Sequence, residues 1–218
     1  VVEIPLGCPV YAPSDDRARG SLRRRLGLPE KATIATTAGF LSEWKQFPQV
    51  VGSILRQWPS NDFFLQVLAP VPFSGDHTNE VGKMRSAITA AGEHADRVLF
   101  STDFLAESEV LDRLFASDLG FVYHAKDTGS VSAATKQYVS ARCPLVTTGS
   151  SHASDLRGGV VRSRGVVGRD FVLAILGLAG QDAANDRERL RREMESEYRR
   201  LNMDAVAIKY LQLFDQLG

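Results

Sequence analysis

The sequence lacks an excess of charge of either sign. Lys plus Arg number 26 and Asp plus Glu number 26 in 218 residues, so the formal net charge is zero. A dedicated duplex nucleic-acid binder carries a positive surplus against phosphate, and the balance here argues against that class. Cysteine is scarce: Cys8 and Cys143 cannot build a disulfide framework, which points to a reducing compartment. No CxxC or HExxH spacing occurs, and the four scattered histidines give no metal signature. No apolar run approaches the length of a membrane span. There is no GxxxxGK[ST] loop, no GxGxxG after the first strand, no internal repeat and no low-complexity stretch. Nothing assembles a nucleophile with a base and an orienting group, so no catalytic residue is assigned. The chain opens Val1-Val2-Glu3, with neither a starting Met nor a signal peptide, as expected of a domain taken from a longer or processed protein.

What is present is ordinary globular material. Hydrophobic residues make up 44% and charged residues 24%, which excludes bulk disorder. A short strand and loop are expected over Val1–Pro13, then a helix over Arg17–Leu26, capped by Asp15 or Asp16 and stopped by Gly27 and Pro29. Strands are predicted at Thr33–Phe40, Phe63–Ala69, Arg97–Phe100, Leu119–Tyr123, Pro144–Thr148 and Val160–Arg162. Between them, helical spacing marks Phe47–Trp58, His77–His94, Glu107–Ser117 and Val131–Ala141. Two helices close the chain, a charged one over Arg187–Arg200 and an amphipathic one over Met203–Leu217. The Arg/Glu alternation of the first is read as a solvated, salt-bridged face. Parallel strands need crossover helices, so this alternation predicts a Rossmann-like open parallel sheet of about six strands with helices on both faces. Residues 1–218 are read as one domain, with a linker over 1–20 and C-terminal helices over 184–218.

Ligands of such sheets sit at the carboxyl ends of the strands, where strand order reverses. After the first main strand, Gly39 permits close approach to the backbone, and Lys45 stands six residues on, where a cation can meet an anion. Lys45 also has an ordinary reading as a loop lysine in water. After the Tyr123 strand, Gly129-Ser130-Val131-Ser132 opens a helix at the sheet edge. Free N–H groups and the positive dipole end make that start an anion site; alternatively, Ser130 is simply a cap. After the Phe100 strand, the backbone of Thr102-Asp103-Phe104 can bond a base edge, with Phe104 packing on the base or in the core. His124 and His152 fall near strand ends without a placed partner and are read as structural.

Taken together, these residues resemble the C-terminal, nucleotide-sugar-binding half of a GT-B glycosyltransferase of the retaining family four type. The resemblance runs through Ile4–Pro9, Leu22–Pro29, Gly39–Lys45, Arg97–Phe100, Leu114–Leu119, Gly129–Ser132 followed by Lys136–Thr148, and Val206–Leu213. It implies that Gly39, Lys45 and Gly129 to Ser132 hold the donor diphosphate, that Gln137 meets the ribose, and that Thr102, Asp103 and Phe104 hold the base. It implies a UDP- or GDP-hexose donor, retention of configuration, and no cofactor or obligatory metal. It implies further a glycan or lipid-linked acceptor, bound by an N-terminal domain outside these residues. No nucleic-acid partner is expected. The setting implied is bacterial polysaccharide biosynthesis in the cytoplasm, with peripheral association of the full-length protein at the cytoplasmic face of the membrane.

The sequence departs from that pattern at three places. Phe40 stands where an arginine is expected, and Gly129 and Gln137 stand at the two carboxylate positions, with Asp127 close by. Losing a cation weakens leaving-group stabilisation, and Gln137 bonds a hydroxyl without charge. A second reading is therefore a degenerate half serving as an interaction module. A receiver-type domain needs an acidic cluster at the strand ends, which Asp103 alone does not supply.

Overall fold

A computed structural model describes residues 5–12, 19–58, 60–73, 77–126, 129, 131–149, 151–163 and 168–217. Six strands form one sheet: β1 (Thr33–Ala38), β2 (Phe63–Leu68), β3 (Val98–Ser101), β4 (Leu119–Val122), β5 (Leu145–Thr148) and β6 (Val160–Ser163). Their order is β3-β2-β1-β4-β5-β6. Every neighbouring pair is parallel, with Thr33 opposite Phe63 and Ala35 opposite Leu119. β1, β4 and β5 are buried on both faces, as expected of strands covered by crossover helices. The chain runs outward from β1 to β3 and then restarts beside β1 at β4. The order therefore reverses between β1 and β4.

The helices are α1 (Arg19–Arg25), α2 (Phe47–Leu55), α3 (Thr78–Thr89), α4 (Glu107–Ala116), α5 (Ala133–Ser140), α6 (Arg169–Ala179), α7 (Ala184–Leu201) and α8 (Met203–Leu217). On one face, Phe47, Val51 and Ile54 of α2 and Phe171 and Ile175 of α6 pack on Leu65, Val67 and Phe121. On the other, Leu111 and Leu114 of α4, Tyr138 and Val139 of α5 and Met194 of α7 pack on Val122 and Leu145. Burying each such side chain contributes roughly 1.5–3 kcal/mol. Cys8 and Cys143 are both free and buried within this second layer, and burial pushes the Cys143 thiol up to about 12.

Three differences from the sequence reading have physical causes. Helix α6 has no counterpart in it: Phe171–Leu178 is apolar almost throughout, and such a run shows no 3.6-residue alternation. The helix expected over His77–His94 ends at Thr89, and a 3₁₀ turn over Gly92–Arg97 follows, with Gly92 at φ 60°. Where a strand is expected in Val1–Pro13, described residues 5–12 form none. Cys8 makes only an isolated bridge to Asn202, its N–H donating to the Leu201 carbonyl (2.7 Å) and its carbonyl accepting from Met203 (3.1 Å). Residues 1–4 lie outside the described residues, as do the cap candidates Asp15 and Asp16.

Helix α8 buries Val206 and leaves Met203, Ile208, Tyr210, Leu211 and Phe214 exposed. No helix among the described residues is long and apolar enough to cross a membrane.

Candidate functional site

At the carboxyl ends of β1 and β2, facing the start of the helix α5 that follows β4, lies a cleft of about 550 Å³. That volume suits a small-molecule ligand. Its walls are the β1 exit (Ala38, Gly39, Phe40), Lys45, the start of α5 with Gln137, the β3–α4 connection, and the segment holding Leu6 and Pro9.

Lys45 ends a 3₁₀ turn over Glu43–Lys45. The turn is fixed from two sides. The Ala125 N–H, beyond β4, donates to the Trp44 carbonyl (2.9 Å), and Gln46 adopts the left-handed conformation at φ 45° before α2 begins. The side chain is thereby directed back over β1. A β-carbon placed on Gly39 would fall 2.0 Å from Lys45 Nζ and 3.9 Å from Ala134 Cβ, so the ammonium sits between the β1 exit and the first turn of α5. Burial lowers the Lys45 pKa to about 8. Among the described residues no carboxylate pairs with it, and the Phe47 ring lies 5.6 Å from Nζ to the centroid.

Helix α5 starts at Ala133, two residues later than the sequence pattern suggests. Ser132 is held extended at φ −85°, ψ 125°, because its N–H donates to the His152 carbonyl beyond β5 (3.0 Å). Its hydroxyl makes no capping bond. The amides of Ala133 and Ala134 precede any intrahelical acceptor, while that of Thr135 donates to the Ser132 carbonyl (3.1 Å); Ser132, Ala133 and Ala134 line the cleft. Tyr138 locks the helix to the sheet: the Ala38 N–H donates to its hydroxyl (2.8 Å), which lies 3.3 Å from the Phe121 carbonyl.

The remaining predicted residues divide. Gln137, Asp103 and Phe104 line the cleft; Thr102, Gly129 and Val131 do not. Gly129 is exposed, at φ 71°. Ser130 and Asp127 lie outside the described residues. His124 and His152 stack on each other, ring centroids 3.8 Å apart, outside the cleft lining.

Three contributors were not predicted as site residues. Lys136 lines the cleft but is 2% exposed and ion-paired with Asp155, so its charge is already neutralised. Glu107, the first residue of α4, adds a carboxylate to the wall that holds Asp103. Phe73 stacks on Phe104 (4.8 Å), which meets Phe40 (5.6 Å), an exposed aromatic group whose last two members line the cleft. Spacing could not reveal these, because each depends on elements distant in sequence meeting at the cleft.

No protein-family model and no curated protein matches the sequence. Solved structures do match. A UDP-forming α,α-trehalose-phosphate synthase from Burkholderia xenovorans, in complex with glucose-6-phosphate, superposes with a TM-score of 0.68 at 17% identity, over 99% of this chain and 51% of that one. Anabaena Alr3699/HepE, in complex with UDP and glucose, gives 0.74 at 14% identity, over 93% and 53%. The trehalose-6-phosphate synthase OtsA gives 0.68 at 16%, over 94% and 48%. The fold is that of one half of a GT-B glycosyltransferase. The chain spans about half the length of the solved structures it matches. At these identities the likeness speaks for architecture, and the roles of individual residues rest on the geometry of the cleft.

Proposed function

We propose that this chain is the nucleotide-sugar-binding part of a glycosyltransferase that moves a hexosyl group to a glycan or a lipid-linked acceptor. The observation that carries the reading is the ammonium of Lys45, unpaired by any described carboxylate and held between Gly39 and the first turn of α5. A partly buried cation without a counter-ion is a poor structural device and a good anion site. The helix start adds free amides and the positive end of its dipole.

In this reading a donor diphosphate lies over Ala133 and Ala134 against Lys45. The Ser132 hydroxyl, free of any capping bond, adds a donor. Gln137 meets the ribose, and the base packs toward Phe104. As the sugar–phosphate bond breaks, negative charge grows on the leaving diphosphate, and Lys45 with the α5 amides stabilises it without a metal. The acceptor is supplied with its binding surface by a second domain. This chain alone then binds nucleotide and transfers nothing. The setting that fits is bacterial glycan synthesis in the cytoplasm, the parent protein meeting lipid-linked acceptors at the membrane's inner face.

Titration calorimetry with UDP, GDP and ADP tests the reading. Binding is expected, and Lys45→Ala is expected to weaken it about tenfold, the scale of one charge-assisted hydrogen bond. Absence of heat with all three nucleotides sinks it.

Phe40 favours a second reading. It puts an aromatic ring where the resemblance has an arginine, leaving Lys45 as the cleft's one unneutralised ammonium among the described residues. A catalytically degenerate half that works as an interaction module would keep this cleft and bind nucleotide weakly or not at all.

A further inference from the structure

The cleft is electrically lopsided. Lys45 and the α5 amides form one wall, and Asp103 and Glu107 stand on the β3–α4 wall. Asp103 is engaged locally, its carboxylate 3.3 Å from the Ser101 hydroxyl and its N–H donating to the same oxygen (3.1 Å). The Glu107 carboxylate is in no ion pair or hydrogen bond among the described residues; the neighbouring Glu109 carboxylate is the one taken by Arg113 (2.9 Å). A ligand spanning this cleft must be anionic at one end and present hydrogen-bond donors at the other.

The common nucleobases differ sharply at that second end. Uracil shows two carbonyl oxygens flanking a single N–H, and a carboxylate facing it meets two like-charged acceptors. Adenine and cytosine each offer an amino group beside an unprotonated ring nitrogen. Guanine alone places two donors side by side, N1–H and the N2 amino group, at the spacing of the two oxygens of a carboxylate. Phe104, Leu105 and Val110 supply apolar surface for a bicyclic ring on the same wall.

We propose that Glu107 accepts both guanine donors and that the cleft selects a guanosine diphosphate sugar over a uridine one. This rests on the nucleotide-binding reading above and goes further by naming the base and the residue that reads it. A site that pairs a polar group with its ligand rejects the analogue lacking the partner, because the site's group is left unmatched.

The test is competitive binding of GDP, IDP and UDP to the whole chain. IDP keeps N1–H and lacks the N2 amino group. GDP is expected to bind about tenfold tighter than UDP, with IDP between them, the scale of one bidentate carboxylate–base pair at an exposed site. Glu107→Gln, which trades one acceptor for a donor, is expected to pull GDP and UDP to within about twofold. UDP binding as tightly as GDP, IDP matching GDP, or a ratio untouched by Glu107→Gln each overturns the assignment and leaves the nucleotide site standing. Failure of all three nucleotides to bind removes both.

Discussion

The ammonium of Lys45 occupies the space that a side chain at position 39 would need, 2.0 Å from where the β-carbon would lie. Gly39 also sits at φ 130°, a conformation that L-residues rarely adopt. Gly39→Ala therefore strains the backbone by about 1–3 kcal/mol and displaces Nζ from the cleft. The long lysine side chain can swing away, so the protein is expected to fold. Nucleotide affinity is expected to fall as far as in Lys45→Ala. A Gly39→Ala variant with normal affinity would show that the ammonium's position is not what holds the ligand.

Lys45 titrates near physiological pH, which makes its role measurable. Burial lowers its pKa from the ordinary lysine value to about 8, so the neutral form gains ground above that pH. A diphosphate beside it favours the charged form and raises the pKa. Nucleotide binding is thus expected to take up protons near pH 8 and to weaken as pH climbs through that value. Calorimetry in buffers of different ionisation enthalpy reads the uptake directly, and a flat response would reject the contact.

The same shift has the opposite sign for stability. A lysine whose folded pKa is depressed favours unfolding at all pH values where it is charged, and the penalty fades as pH rises from about 8 toward the unfolded value. Lys45→Met is expected to stabilise the free protein by about 1 kcal/mol at pH 7, with due discount for partial exposure, while losing nucleotide. Thermal melts at pH 7 and pH 10 should show the gain shrinking at the higher pH. A loss of stability at pH 7 would mean that Lys45 is a structural group.

The sheet was legible from the sequence because each strand is a β-branched or aromatic run bounded by turn residues, as in Thr33–Ala38 and Phe63–Leu68. Helix α6 was not, since Phe171–Leu178 is apolar on its exposed face as well as its buried one and has no polar stripe to betray its period. Lys45 and the α5 start were readable as candidates from their places after β1 and β4. Their meeting was implied by the family resemblance and not by spacing, because it depends on the Trp44–Ala125 hydrogen bond and on the left-handed turn at Gln46. The shift of the α5 start from Val131 to Ala133 likewise comes from a remote partner, His152.

Asp118 anchors α1 to the sheet. It receives Arg19 (2.9 Å), Arg23 (2.7 Å) and the Ile34 N–H (2.7 Å). Burial by itself would raise its carboxyl pKa, but the two guanidinium groups and the amide outweigh burial and hold it below the usual range. Its contribution is present above the ordinary carboxylate pKa of about 4 and is lost as pH falls through the lower folded value. Asp118→Ala strands the buried Arg23 and is expected to cost about 3 kcal/mol. Urea melts check the cost, and in acid titration the variant should lose less stability below pH 4 than the parent does. Equal acid sensitivity would assign the low-pH loss to other carboxylates.

Gly120 and Tyr138 test how tightly the α5 start is registered to β1. A β-carbon on Gly120 would lie 2.2 Å from the Tyr138 ring, which is wholly buried and cannot step aside. Gly120→Ala therefore pushes the ring outward, breaks the Ala38 N–H to Tyr138 hydrogen bond, and is expected to cost about 1–3 kcal/mol through overpacking. Tyr138→Phe removes the hydroxyl without moving the ring and strands one buried N–H, at about 1–2 kcal/mol. Because Ala38 directly precedes Gly39, both changes loosen the strand exit against the helix start, and both should lower nucleotide affinity. The tyrosine variant is the cleaner probe, since its core volume is conserved. If Tyr138→Phe is destabilised in urea yet binds nucleotide as the parent does, the spacing between β1 and α5 is set by the loops at Trp44 and His152 instead.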